Sequence, residues 1–231
     1  MKFYSSECEV AFCGHATIAI MYDLISTNPE LLDEPELKIK VKAGTLSVFN
    51  YIKEEDAVYI TVPEAEFLQR KMSWDEITEA LDTQLTGFDV KKPFRVIDGG
   101  LRTLIVPMVS LEACIKLSPN QETLRTFCFE KDIDIVLVFT EETDTADAKY
   151  RTRVFAPKFG YLEDPATGSG NSAFGYYLAD NNQWAEDFSI EQGPSLKNPN
   201  LVKLKLYENE KGVRIMFGGG GTTKIAGNYY L

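Results

Sequence analysis

The sequence is poor in the residues that bind metals and nucleic acids. Its 231 residues include one histidine and four cysteines (Cys8, Cys13, Cys114 and Cys128), and no two cysteines have CxxC spacing, which argues against a zinc site. The net charge of −11 argues against nucleic acid, whose phosphates require a basic surface. No apolar run approaches the ~20 residues that span a bilayer. We therefore expect a cytoplasmic protein with reduced thiols, no metal, and no nucleic-acid or membrane partner.

The one histidine lies where chemistry is favoured. His15 follows Cys13 and Gly14, directly before an apolar stretch that predicts a helix. Amide groups at a helix N-terminus lack intrahelical partners and the helix dipole is positive there, so the junction suits an anion. Imidazole also titrates near neutral pH. A single histidine can equally be structural, so this position alone does not decide the function.

A second junction of the same kind occurs later in the chain. The segment 163–171 precedes another apolar helix, predicted over 172–178, and Gly14 aligns with Gly168 at an offset of 154 residues. This alignment pairs His15 with Ser169, and strand-like segments follow both helices. The pattern predicts two diverged copies of one unit. We assign residues 1–100 to the first half, joined by the last residues 220–231, and residues 101–219 to the second.

Local patterns predict short strands alternating with a few helices. Ser73 and Glu76 form a capping-box pattern that predicts a helix start. The apolar run within 132–139 predicts a buried strand. The glycines at 218–221 lack the Lys-Ser/Thr ending of a phosphate-binding loop, and they indicate a strand connection or bulge where only glycine fits.

The two junctions could form one site if the halves face each other. Amide groups of Gly14, His15, Gly168 and Ser169 could then hold a carboxylate between two positive helix ends. A histidine and a carboxylate, here His15 and Asp164, can move protons on a substrate carbon. Each side chain also has a structural alternative, because Asp164 could close a local turn and Ser169 could be an N-cap.

The two motifs, Cys13-Gly14-His15-Ala16-Thr17 and Glu163 to Gly170, closely resemble the paired signatures of the PhzF-like phenazine-biosynthesis family. Segments 153–157 and 191–195 also fit that family. The resemblance implies the diaminopimelate-epimerase-like fold, an α/β architecture of two pseudo-symmetric halves, each a curved mixed sheet wrapped round a central helix. It also implies a homodimeric isomerase that moves a proton on a small cyclic or unsaturated carboxylic acid, without metal or organic cofactor.

The resemblance also implies roles for single residues. His15 and Asp164 match the family's catalytic positions, and Gly14, Gly168 and Ser169 match positions that hold the substrate carboxylate. Family members carry, before the first signature, a Ser-Glu-Thr-Ala-Phe-like segment with the principal acid/base glutamate, and this sequence contains no match to it. Two functions therefore stay open: an isomerase, or a non-catalytic module that binds a small anion.

The cysteine pattern separates this chain from the epimerases of the same fold. Those enzymes place one thiol in each half to exchange a proton between two faces of the substrate. Here Cys13 occupies one place, but Thr167 occupies the other, and its hydroxyl is too weakly acidic to serve. We therefore do not expect a two-thiol epimerase, and we expect Cys13 to be a small buried apolar residue.

Overall fold

The computed structural model describes residues 1–4, 9–10, 13–42, 44–62, 64–209 and 212–227. Cys8 lies outside these residues, as does the phenylalanine before Cys13. The chain forms two compact units. Unit 1 contains Met1–Thr61 and Gly218–Leu231, and unit 2 contains Val62–Phe217.

The compact units divide the chain at other positions than the predicted halves. The boundary lies between Thr61 and Val62, whereas the sequence predicted it near residue 100. The physical reason is strand pairing, because the segment between these positions contributes strands to the sheet of unit 2. The segment that begins at Gly218 belongs with unit 1.

Unit 1 combines short helices with antiparallel strands. Its described strands are β1 (Phe3–Tyr4), β2 (Glu9–Val10), β3 (Glu36–Val41), β4 (Gly44–Tyr51) and β5 (Ala57–Thr61). Its described helices are α1 (Gly14–Ser26), α2 (Pro29–Leu32) and α3 (Ile52–Glu55). The strands β3, β4 and β5 form an antiparallel meander, and β1 pairs with β2.

The long helix of unit 1 buries one face. Thr17, Ile18, Met21 and Ile25 of α1 are buried, as the helical period requires, and the helix packs against β5. Gly218 also packs against β5, and a Cβ atom at this position would lie 2.3 Å from the Val58 carbonyl oxygen. Only glycine therefore fits there, although Gly218 and Gly219 lie within β14 and not in the strand connection or bulge that the sequence predicted.

Unit 2 is built on a larger mixed sheet. Its described strands are β6 (Glu66–Leu68), β7 (Arg95–Asp98), β8 (Arg102–Pro107), β9 (Ile135–Thr140), β10 (Ala148–Phe155), β11 (Glu163–Asp164), β12 (Phe188–Gln192), β13 (Asn200–Asn209) and β14 (Gly212–Gly219), whose last two residues belong to unit 1. Its helices are α4 (Trp74–Ala80), α5 (Leu111–Lys116), α6 (Gln121–Glu130) and α7 (Gly168–Asp180), with 3-10 turns at Leu85–Gly87 and Pro157–Phe159.

The strand order in unit 2 is β14-β13-β12-β10-β9-β8-β7-β6, with β11 paired to β10. The pairs β8/β9 and β10/β12 are parallel, while β9/β10, β10/β11 and β12/β13 are antiparallel. Every residue of β9 is buried, which confirms the buried strand predicted from its apolar run. The predicted α/β class is also confirmed.

The helix α7 lies at the centre of unit 2. It packs against β7, β8, β9 and β13, and most of its residues are buried. The ring of Phe174 contacts those of Phe139 and Tyr150, with centroids 4.5 Å and 5.1 Å apart. None of the helices in the described residues is both long and apolar enough to cross a bilayer.

The structure repeats itself at the predicted offset of 154 residues. The helices α1 and α7 begin and end at aligned positions, Gly14 with Gly168 and Ser26 with Asp180. The short strands β2 and β11 precede them at aligned positions, and antiparallel strands follow both. The copies differ in burial, because Ile20 of α1 is 47% exposed although its counterpart Phe174 is fully buried.

Candidate active site

The first junction exposes its histidine at a helix N-terminus. Cys13 is the N-cap of α1, and His15 is the second residue of the helix. The Cys13 carbonyl accepts bonds from the Thr17 amide at 3.0 Å and the Thr17 hydroxyl at 2.7 Å. These bonds fix the start of the helix, while the imidazole is exposed to solvent.

Cys13 is not a buried residue, which corrects the expectation from the sequence. It is partly exposed, and its Sγ lies 3.6 Å from Nε2 and 3.9 Å from Nδ1 of His15. An N-cap residue lies at the edge of its helix, where the packing that buries later turns is incomplete. Cys114 and Cys128 are buried, and burial raises the pKa of each thiol to about 12.

The second junction begins with a turn that carries Asp164. This residue lies in β11, opposite Val154 of β10, and is 9% exposed. Its Oδ1 accepts a hydrogen bond from the Ala166 amide at 3.2 Å. The carboxyl group therefore closes the local turn, which is the structural alternative that the sequence left open. A carboxylate has two oxygens and can use the second for a ligand.

The helix α7 begins at Gly168, with Thr167 as its N-cap, four residues before the predicted start. Ser169 therefore lies within the first turn and is not the N-cap. Glycine is required at the first position, because a Cβ atom on Gly168 would lie 2.1 Å from Cε2 of Phe217. The aromatic ring thus packs directly against the main chain of the helix start.

A buried network of polar side chains holds this helix start. Gln192 donates from Nε2 to the Asp164 carbonyl at 2.7 Å and to the Thr167 hydroxyl at 3.2 Å. Its Oε1 accepts from the Thr167 amide at 3.0 Å and from Nδ2 of Asn171 at 2.7 Å. The Thr152 hydroxyl in turn donates to Oδ1 of Asn171 at 3.1 Å. The sequence analysis assigned no role to the side chains of Gln192, Asn171 and Thr152.

Arg153 fixes the other side of the turn. Its guanidinium forms a bidentate pair with Glu163, from Nε to Oε1 at 3.0 Å and from the terminal nitrogen to Oε2 at 2.8 Å. The other terminal nitrogen donates to the carbonyl groups at the end of α5, those of Cys114, Ile115 and Leu117. Such forked pairs specify geometry as well as charge. The residue before Asp164 is therefore held to both the sheet and a helix.

A buried ion pair holds the loop that follows β12. Arg151 and Glu191 are both fully buried, and their closest charged atoms are 3.3 Å apart. Arg151 also donates to the carbonyl oxygens of Gly193 and Ser195, at 2.5 Å and 2.6 Å from one terminal nitrogen. The pair therefore fixes the chain directly after Gln192.

The Glu191 carboxyl is stabilised in its charged form. Burial acts to raise its pKa, but hydrogen bonds from the hydroxyl and amide of Thr145 and from the amide of Asp144 act in the opposite direction. The positive charge of Arg151 adds to their effect. The pKa of Glu191 therefore lies below its usual value.

The structure distributes the predicted site residues between the two junctions. Gly14 and His15 lie at the start of α1 in unit 1, whereas Asp164, Gly168 and Ser169 lie at the start of α7 in unit 2. Within the described ranges, no group of three or more His, Cys, Asp or Glu side chains could share a metal ion.

These junctions occur in a chain with clear relatives. The chain belongs to the PhzC-PhzF family of phenazine biosynthesis-like proteins, whose family model matches residues 1–227. It is 30% identical to the uncharacterized isomerase YfhB of Bacillus subtilis over 224 residues, which are 95% of this chain and 75% of that protein. It is 24% identical to the trans-2,3-dihydro-3-hydroxyanthranilate isomerase of Pseudomonas fluorescens over 245 residues, covering all of this chain and 79% of that enzyme.

A solved structure supports the fold. The PhzF-family phenazine biosynthesis protein of Bacillus anthracis is similar with a TM-score of 0.83 and 23% sequence identity. The match covers 95% of this chain and 76% of that one. The fold expected from the two motifs is therefore confirmed.

Proposed function

We propose that this chain is an isomerase that moves a proton on a small cyclic or unsaturated carboxylic acid, without a metal or organic cofactor. The observation that carries the proposal is the repeated junction. In each copy a titratable side chain lies beside the start of a 13-residue helix: His15 is in the first turn of α1, and Asp164 lies in the short strand before α7. Family membership and the isomerase names of two relatives support the same reaction class.

In this proposal the helix starts bind the substrate carboxylate. The amide groups of Gly14, Gly168 and Ser169 lie in first turns, where helix geometry leaves N–H groups without intrahelical acceptors. The positive end of each helix dipole favours an anion. The missing side chain at Gly14 allows a ligand to approach the main chain closely, whereas at Gly168 the corresponding space is filled by the Phe217 ring.

His15 and Asp164 then carry the proton. One group accepts a proton from a substrate carbon, and the electron pair of that C–H bond moves into the adjacent unsaturated system. The second group delivers a proton at another carbon, so the double bond shifts and the composition of the substrate is unchanged. Such a step needs no redox partner.

The test is deuterium incorporation from heavy water into trans-2,3-dihydro-3-hydroxyanthranilate, followed by NMR. We expect His15→Gln and Asp164→Asn each to slow incorporation about 100-fold or more, since positioned acid/base groups contribute at least that factor. Asp147→Asn is the control, because Asp147 is exposed in the loop between β9 and β10. If both groups act on one substrate molecule, the double variant loses little more than either single variant.

Other outcomes separate the alternatives. Unchanged incorporation in both single variants would refute the isomerase proposal. Binding of the acid by calorimetry, with no incorporation by the wild-type protein, would instead favour the non-catalytic anion-binding module. A wild-type protein that neither binds nor turns over the acid would exclude both functions for this ligand.

We further propose that the chain forms a homodimer. Ile20 and Leu24 of α1 are 47% and 43% exposed, whereas their counterparts in the second copy, Phe174 and Leu178, are fully buried. Burying such side chains against a second copy of the chain would contribute about 25 cal/mol of free energy per Å² of apolar surface removed from water. Light scattering at micromolar concentration should give the mass of a dimer. Leu24→Glu should lower the measured mass toward that of a monomer, whereas Leu85→Glu, at another exposed leucine, should leave the mass unchanged. A wild-type monomer would contradict the proposal.

A further inference from the structure

The side chain of Gln192 joins both ends of the turn that carries Asp164. Its amide N–H groups bond to the Asp164 carbonyl and the Thr167 hydroxyl, and its oxygen accepts from the Thr167 amide and from Asn171. A primary amide has two donors and two acceptor sites, so these contacts use all of them. Gln192 is fully buried, and the network is therefore protected from competition with water.

The sheet fixes the main chain of Gln192 from both sides. Gln192 pairs with Thr152 of β10 and with Asn200 of β13, and the next residue donates its amide to the Thr152 carbonyl at 3.1 Å. Asn171 is also held, because it accepts from the Thr152 hydroxyl and donates to the Thr167 carbonyl. The position of the turn is thus set by strands distant from it in sequence.

We call the hydrogen bonds of Gln192 to Asp164, Thr167 and Asn171 the clamp, and the aligned sequence of the first copy has different residues at the positions of Asp164 and Gln192. The repeat aligns Asp164 with Val10, which has no ionisable group. When the strands after the two helices are aligned on Gly44 and Gly193, Gln192 meets Ala43, which has no hydrogen-bonding side chain. A network needed simply to start such a helix would be expected in both copies.

We propose that Gln192 is a positioning residue, which holds the Asp164 turn and the first-turn amide groups of Gly168 and Ser169 in the arrangement that binds the substrate carboxylate and transfers the proton. The inference rests on the proposed function. In this inference one buried side chain, which does not itself contact the substrate, determines where the Asp164 carboxyl group and the first-turn amide groups lie.

The test compares Gln192→Met and Gln192→Glu with the wild-type protein and with Leu124→Ala. The first variant keeps the shape and removes every hydrogen bond, and the second keeps the acceptors and removes the donors. Leu124 is buried in the apolar cluster around α4, α5 and α6, so its truncation lowers stability in unit 2 without touching the junction. Turnover of trans-2,3-dihydro-3-hydroxyanthranilate gives kcat and KM, and amide hydrogen exchange reports the turn directly.

We expect both Gln192 variants to lose about 10- to 100-fold in kcat/KM. Loss of stability alone lowers the fraction of folded enzyme and therefore kcat, leaving KM unchanged. A displaced turn also raises KM, because the carboxylate-binding amides move with it. Exchange should become faster at the Thr167, Gly168 and Ser169 amides in Gln192→Met, which removes the acceptor of the Thr167 amide, and Leu124→Ala should change neither KM nor these amides.

The results separate two kinds of failure. Gln192 variants with normal kcat/KM, or with a fall in kcat alone that Leu124→Ala reproduces, overturn the positioning role. A wild-type protein that neither turns over this acid nor binds 2-aminobenzoate overturns the proposed function and the catalytic part of the inference with it. Amide exchange still tests the clamp in that case, because unchanged exchange at the Thr167 amide in Gln192→Met overturns it.

Discussion

Gly168→Ala should destabilise unit 2 through a single methyl group. The new Cβ atom would lie 2.1 Å, 2.4 Å and 2.5 Å from three ring carbons of Phe217. Carbon atoms prefer about 3.5–4.0 Å, and the ring is only 2% exposed, so it has little room to move. Such overpacking costs about 1–3 kcal/mol. The helix preference for alanine offsets at most ~1 kcal/mol, and less at a first helical position.

Gly170→Ala is the matched control in the same helix. Its Cβ atom would lie 3.2 Å from Cδ1 of Ile135, the mobile end of a side chain, so we expect a change within ~1 kcal/mol in either direction. Urea titration gives the free energy of unfolding of both variants. Tryptophan fluorescence follows the unfolding of unit 2, because Trp74 and Trp184 both lie in that unit.

The reasoning would be refuted by a Gly168→Ala protein as stable as the wild type, or by an equal loss in Gly170→Ala. A second check uses Phe217→Leu, which removes ring atoms from the contact. If the ring is the cause, Gly168→Ala should cost less in the Phe217→Leu background than in the wild type, since residues in contact are not additive.

Three further predictions concern buried charges and thiols in unit 2. Arg153→Lys should lower the free energy of unfolding by about 2 kcal/mol through loss of its forked carboxylate pair, whereas the exposed Arg125→Lys should have little effect in the same urea assay. Glu191→Gln should cost about 3 kcal/mol at neutral pH, because it leaves its arginine partner charged and buried. The pKa of Glu191 is lower in the folded protein than its ordinary 4.5. The stabilisation by this ion pair is therefore complete above about pH 4.5 and is lost as the pH falls through the pKa of the folded protein. Urea unfolding at several pH values should show that the difference in unfolding free energy between the wild type and Glu191→Gln shrinks in acid. Cys114 and Cys128, with pKa values of about 12, should resist iodoacetamide at mildly alkaline pH until the protein unfolds, as peptide mass spectrometry can follow.

Each of these predictions has a contrary result. Equal losses in the two arginine variants would show that the fork adds nothing beyond a surface charge. A Glu191→Gln deficit that stays constant or grows in acid would contradict the sign of the pKa change. Rapid alkylation of Cys114 in the folded protein would show that the α5 region opens readily.

The local parts of the fold could be predicted from the sequence. The capping box at Ser73 and Glu76 is present, because both of its hydrogen bonds form within one turn. The repeat alignment paired Gly14 with Gly168 because glycine and apolar spacing are visible in the chain itself, and α1 and α7 begin at these two residues. The start of α7 was placed too late because Gly168, Ser169 and Gly170 are poor helix formers, and packing of α7 on the sheet overrides that preference.

The parts that depend on distant pairing could not be predicted. The unit boundary follows from β6 and β7 pairing into the sheet of unit 2, which no local pattern encodes. The role of Gln192 depends on contacts with residues 21 to 28 positions away. The motif 191–193 was visible in the sequence, but a buried glutamine carries no signal that distinguishes it from an exposed one.

The division of the chain sets the order in which the residues of each unit become available for folding. Unit 2 is one continuous segment, whereas unit 1 needs Met1–Thr61 and also the residues from Gly218 onward. During synthesis, every residue of unit 2 is therefore available before unit 1 has its last strand end, although domains usually fold in N-terminal order. A nascent chain that reaches only Phe217 still lacks the glycine that packs against Val58. Unit 1, whose first segment precedes unit 2 in the chain, can therefore complete its fold only after unit 2 has been synthesised.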